Sequence, residues 1–252
     1  MTLVYTSYIK LYWPLLNPKN HTKNKEFLTE PYISRSKNGS GLGLAVVKKI
    51  MQDHNGNIER AKETILAAKN CGACAVKLQT YTPDTMTIKS NKKDFLITSG
   101  LWKGYSLYDL YTWAQTPFEW MRELFNYARE IDITIFSTPF DETAVDLLED
   151  LNTPAYKVAS FEATDLPLLK YIGSTKKPVI VSTGLANLEE IKEAHTTLMD
   201  SGCNNIAFLH CISSYPSPVD QAHLKTISKR RKLSNVCGQR LLPCSDKFRV
   251  AY

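Results

Sequence analysis

Thr134-Ile135-Phe136-Ser137, Ala155-Tyr156-Lys157-Val158-Ala159-Ser160, Pro178-Val179-Ile180-Val181-Ser182 and Ile206-Ala207-Phe208-Leu209-His210-Cys211 are short apolar runs at nearly even spacing. Each is short enough for a buried strand and too short for a helix. The segments between them, Glu142 to Leu151, Leu166 to Ile172 and Leu188 to Ser201, carry apolar residues at helical spacing. Strands that alternate with helices through brief connections pair in parallel, because each crossover returns the chain to the same edge.

The pattern extends towards the N-terminus. Ile58 to Lys69 reads as a helix with Gly72 as its stop, and Ala75-Val76-Lys77-Leu78-Gln79-Thr80-Tyr81 reads as a strand. A long connection containing Leu101-Trp102-Lys103-Gly104 leads to a helix from about Pro117 to Ile131. Five strands are thus expected, each ending in polar residues: Lys77 and Gln79, Ser137 and Thr138, Lys157 and Ser160, Ser182 and Thr183, Ser213 and Ser214. An open doubly wound sheet would gather ligand groups at one crevice, whereas a barrel gathers them at every strand end. The expectation is therefore an α/β chain of the TIM-type (β/α) barrel class. Two lysines among so many hydroxyls suit a small anionic, oxygen-rich ligand such as a phosphate or carboxylate.

Composition limits the alternatives. The apolar fraction of 43% is ordinary for a globular chain of 252 residues, and no run approaches a membrane span. Met1 to Pro14 lacks the layout of a secretory signal, so a cytoplasmic protein is expected. Charge is unevenly placed: residues 1–53 carry +5, residues 54–224 carry −6 and residues 225–252 carry +7. These steps are read as boundaries between segments, 1–53, 54–227 and 228–252, rather than as nucleic-acid tails. Six cysteines without a secretion signal do not suggest a disulfide framework. Cys71-Gly72-Ala73-Cys74 has metal-ligand spacing but straddles a helix-to-strand turn, so its cysteines are expected to be small turn and core residues.

Five motifs stand in order: Val76-Lys77-Leu78-Gln79-Thr80-Tyr81, Phe136-Ser137-Thr138-Pro139-Phe140-Asp141, Tyr156-Lys157-Val158-Ala159-Ser160, Val181-Ser182-Thr183-Gly184, and Leu209-His210-Cys211-Ile212-Ser213-Ser214-Tyr215-Pro216. Together they resemble the sialic acid synthase family, over about two thirds of the chain. Thr80 to Thr87, Leu101 to Gly104 and Leu107 to Tyr111 look more like the pseudaminic than the neuraminic branch. The resemblance implies a phosphoenolpyruvate-dependent transferase that condenses its substrate with an N-acylated amino sugar to form a nonulosonic acid and releases phosphate. It implies that Lys77, Thr138 and Lys157 lie near the phosphoenolpyruvate carboxylate, with the two lysines catalytic. Ser160, Ser182 and Ser213 would then serve its phosphate, and Gln79, Ser137, Thr183 and Tyr215 would complete the substrate-binding set. It also implies a divalent metal, Mn2+ or Mg2+, and leaves a homodimer open.

The resemblance stops at both ends. Its first strand would precede His54-Asn55-Gly56; instead Leu28 to Tyr32 and Gly39 to Ile50 resemble the last glycine box of a sensor histidine kinase, an ATP-lid fragment. The family's metal histidines belong to Ser-Asp-His and Glu-Lys-His, whereas Ser245-Asp246 is followed here by Lys247. The expectation is an incomplete barrel with its first strand replaced, its last strands missing and no metal ligands. The functional alternatives are a synthase and a silent fragment that keeps only anion or phosphoenolpyruvate binding.

Overall fold

The computed structural model describes residues 57–98, 102–211, 223 and 226. They belong to two compact units whose division falls between Ile135 and Phe136. The kinase-like stretch, Ser213, Tyr215 and the basic tail lie outside the described residues.

The first unit opens with α1 (Ile58–Asn70), capped by Asn57, whose Oδ1 accepts from the Glu59 N–H at 2.8 Å. Strand β1 (Ala75–Thr80) follows. The long connection contains two α-helices, α2 (Pro83–Met86) and α3 (Leu107–Ala114). The Ser106 side chain caps α3 by accepting from Asp109 N–H. The buried Trp102 stacks edge-on against Trp113 of α3, with ring centroids 5.3 Å apart. Helix α4 (Phe118–Glu130) buries Met121, Leu124, Phe125 and Ala128, a stripe of i, i+3, i+4, i+7 spacing. Pro117 is its N-cap rather than its first turn. Lys62 of α1 pairs with Glu123 of α4, tying these two packed helices at their rim.

Strand β2 (Thr134–Pro139) runs into the second unit. There α5 (Glu142–Asp150), β3 (Tyr156–Val158), α6 (Leu166–Ser174), β4 (Val179–Ser182), α7 (Leu188–Asp200) and β5 (Ile206–Leu209) alternate without exception. The strands lie in the order β2-β3-β4-β5, and every pair is parallel. This is an α/β architecture with a parallel sheet, as the alternation required.

Register assigns the two faces. Ser137 pairs with Tyr156; Tyr156, Val158 and Val181 stand opposite Val179, Val181 and Phe208 in turn. Tyr156 Oη reaches Val145 O and Glu149 Oε1 on α5, and the Phe208 ring meets His195 of α7. These residues therefore face the helices. Alternation puts Thr138, Lys157, Ile180, Ser182 and Leu209 on the other face. The helices pack closely: a Cβ built on Gly173 of α6 would meet Ser201 Cβ at 2.7 Å and Leu198 O at 3.1 Å.

Four helices end alike. After α1, α4, α5 and α7, one residue takes positive φ: Gly72, Asp132, Asn152 and Gly202. The next residue then donates back to the helix: Ala73 N–H to Ala68 O, Ile133 to Ala128, Thr153 to Leu148, and Cys203 to Leu198, all at 2.9–3.0 Å. This is the Schellman stop, which satisfies carbonyls the helix end would strand. Ile133, Thr153 and Cys203 are buried, so the turn also plants the first residue of the following segment in the core. Cys71 and Cys74 sit at the first such turn as expected, but both are exposed, so they are not core residues. The sulfur spacing belongs to the turn and not to packing. The four described cysteines are free.

Candidate functional site at the carboxyl ends of the strands

Lys157 is the second residue of β3, and only 4% of its surface is exposed. Its Nζ donates to Val158 O at 2.6 Å and to Ser182 Oγ on β4 at 2.5 Å. Two of its three N–H groups are so used, and the Ser182 hydroxyl proton is left to donate. Burial pulls the Lys157 ammonium down to about 8; the neighbouring Cys211 and Glu162 act in the opposite sense but more weakly. A buried cation partnered by a hydroxyl and a carbonyl is under-compensated, and it favours an anionic ligand that would restore its charge.

The neighbouring strand ends supply hydroxyls. Ser160 is buried, and its Oγ accepts the Gly184 N–H at 3.2 Å, binding the loop after β3 to the loop after β4. Thr138 is buried at the end of β2, on the face that carries Lys157. Thr183 is buried, but its hydroxyl donates to Leu209 O at 2.9 Å, the same carbonyl that its own N–H reaches at 3.1 Å. Its donor therefore extends the sheet. Ser137 is buried on the helix-facing side by its register with Tyr156, away from the Lys157 face. Lys77 and Gln79 lie half-buried on one face of β1 in the first unit, where Lys77 Nζ donates to Leu78 O at 3.2 Å.

One residue escaped the sequence reading. Glu162 opens a 3-10 turn (Glu162–Thr164) two residues beyond Ser160, and its Oε2 is buried without a hydrogen-bond partner. Burial raises its carboxyl above the usual carboxylate range; Asp165 adds to that rise and Lys157 opposes it. A carboxyl whose hold on its proton is strengthened by burial is suited to moving a proton. The only signal in the sequence was an acidic residue just past a strand-end serine.

Among the described residues, no three His, Cys, Asp or Glu side chains converge to hold a metal ion. The described residues do not fit a divalent cation, and no chemical step is assigned to one. Nor does any described helix have the length and apolar character to cross a membrane.

The model of the NeuB family matches residues 64–238. Pseudaminic acid synthase of Helicobacter pylori is 42% identical over 191 residues, covering 76% of this chain and 56% of that protein. N,N'-diacetyllegionaminic acid synthase of Campylobacter jejuni is 35% identical over 178 residues, covering 69% and 53% respectively. Among solved structures, the spore coat polysaccharide biosynthesis protein spsE of Bacillus subtilis superposes with a TM-score of 0.58 at 34% identity, over 71% of this chain and 47% of that one. The chain thus spans about half the length of the relatives it matches.

Proposed function

Because this chain belongs to the NeuB family, we propose that its strand ends bind phosphoenolpyruvate and that the protein condenses it with an N-acylated amino sugar. The strands would lie in a TIM-type barrel, in a cytoplasmic protein. The observation that carries this reading is the buried Lys157, tied to Ser182 and accompanied by Ser160 and Thr138 at the carboxyl ends of parallel strands.

In the reaction, C3 of phosphoenolpyruvate attacks the aldehyde carbon of the open-chain sugar and a C–C bond forms. The aldehyde oxygen takes a proton. Water adds at C2, and the C2–O bond to phosphate breaks to release inorganic phosphate and leave the 2-keto acid. Lys157 supplies positive charge where the carboxylate and phosphate sit, in a site dry enough for that charge to act strongly. The Ser182 and Ser160 hydroxyls donate to the same oxygens, and Thr138 joins the carboxylate side. Glu162, with its raised carboxyl, would exchange the proton of the attacking water or the nascent hydroxyl. A divalent ion, Mn2+ or Mg2+, and Lys77 belong to this reading through the family alone; Lys157, Thr138 and the two serines act on phosphoenolpyruvate.

Phosphate release from phosphoenolpyruvate tests this reading, with manganese present and with the pseudaminic precursor or N-acetylmannosamine as acceptor. Sugar-dependent release establishes the synthase and names its branch. Phosphoenolpyruvate binding without release leaves an anion-binding protein. Absence of both, in protein that melts cooperatively, removes the proposal.

A further inference from the structure

Phe161 and Leu185 are 75% and 54% exposed, although both are large and apolar. Phe161 directly follows Ser160 of the strand-end cluster, Leu185 directly follows Gly184, and the Gly184 N–H donates to Ser160 Oγ at 3.2 Å. That bond ties the two loops side by side. Their backbones are anchored from behind. Ala163 is buried beneath the 3-10 turn, Ala186 is 7% exposed, and Asn187 begins α7 with a reciprocal capping box to Glu190. A phenyl and an isobutyl group are thus presented to solvent beside Ser160, a group assigned to the anionic substrate. Scattered exposed apolar residues need no explanation. A pair beside Ser160, at strand ends that on the synthase reading admit a second substrate, calls for one.

Resting on the synthase reading above, we infer that Phe161 and Leu185 form an apolar lip that reads the methyl group of an N-acyl substituent on the amino sugar. The hydroxyl-bearing carbons of a sugar gain less from such a lip than an acetamido methyl, which brings only C–H bonds to it. The two residues determine specificity and take no part in bond making.

The test compares a di-N-acetylated amino aldohexose with its di-N-formyl counterpart, which lacks only the methyls. Binding is followed by titration and by saturation transfer to the acyl protons, on the full chain with saturating inorganic phosphate. The expected result is about tenfold tighter binding of the acetyl sugar, the usual effect of one methyl group in an apolar pocket. The preference should vanish in a Phe161→Ser/Leu185→Ser variant whose melting temperature and phosphoenolpyruvate affinity are unchanged. Equal affinity for the two sugars, a preference that survives in the variant, or no sugar binding overturns the lip. So does a dimer that Phe161→Ser converts to monomer in sedimentation, since a second copy would then be what covers these side chains. Phosphoenolpyruvate titrated into the same samples separates the two failures. If it binds and Lys157→Met abolishes that binding, the synthase reading stands and only the lip falls; if it does not bind, both fall.

Discussion

Lys157 Nζ donates to Ser182 Oγ at 2.5 Å, joining the central strands β3 and β4 by a charged hydrogen bond. The bond does not balance the charge, since a hydroxyl dipole is a poor substitute for water around an ammonium. Replacing the lysine by a similarly shaped apolar residue should therefore not weaken the fold. Lys157→Met is expected to match or exceed the parent in denaturant midpoint at pH 7 while losing phosphoenolpyruvate and phosphate binding. Chemical denaturation and calorimetric titration of the two proteins check this.

The same lysine gives a pH signature. Its folded value of about 8 lies below the ordinary lysine value of 10.5. The unfolded chain therefore binds the additional proton between those limits, and stability from this group rises with pH across that window. The rise is on the order of 3 kcal/mol and is complete above the unfolded value. It should appear as a difference between the parent and Lys157→Met in unfolding free energy measured from pH 7 to 10.5.

Ligand affinity should move the opposite way. An anion needs the protonated lysine, so binding is at full strength below about pH 8 and weakens above it as the ammonium deprotonates. About a tenfold loss of phosphate affinity per pH unit is expected once the lysine is mostly neutral. A flat profile up to about pH 10, near the ordinary lysine value, would remove Lys157 from the site.

Gly173→Ala tests the helix layer. The new methyl would meet a backbone oxygen as well as Ser201 Cβ, and the oxygen cannot rotate away. A loss of about 1–3 kcal/mol is expected by urea titration, with little change in anion binding.

Lys176→Gly should do the reverse. Lys176 holds φ at +60° just past α6, a conformation that a side chain disfavours and glycine adopts freely. A gain of up to about 1 kcal/mol is expected, visible as a higher melting temperature.

The regular part of this fold was legible because α1, α4, α5 and α7 each carry one apolar stripe, and because the strands between them are too short for anything else. The helices α2 and α3 were missed for a physical reason. Both are short, at four and eight residues, and α3 buries none of its residues and relies on the Ser106 cap and the Trp102 stack. At the site, Lys157, Ser160 and Ser182 were visible as polar ends of apolar runs. The face on which Ser137 sits was not, because a strand's phase is fixed by its partner's register and one step inverts it. Glu162 was invisible for a similar reason. A glutamate after a strand reads as solvated until the 3-10 turn folds it inward.

The repeated helix stops have a consequence for how such a chain can change over generations. At these helix ends the turn is short and its backbone is committed, and in three of the four a buried residue follows immediately. An insertion there would pull that residue out of the core. The strand-to-helix junctions on the other side carry no repeated stop of this kind, and are tied instead by capping side chains and by single bonds such as that from the Gly184 N–H to Ser160 Oγ. Length variation is thus channelled to the end of the sheet that holds the lysine and its hydroxyls. New substrates can be tried there by lineages whose framework stays untouched.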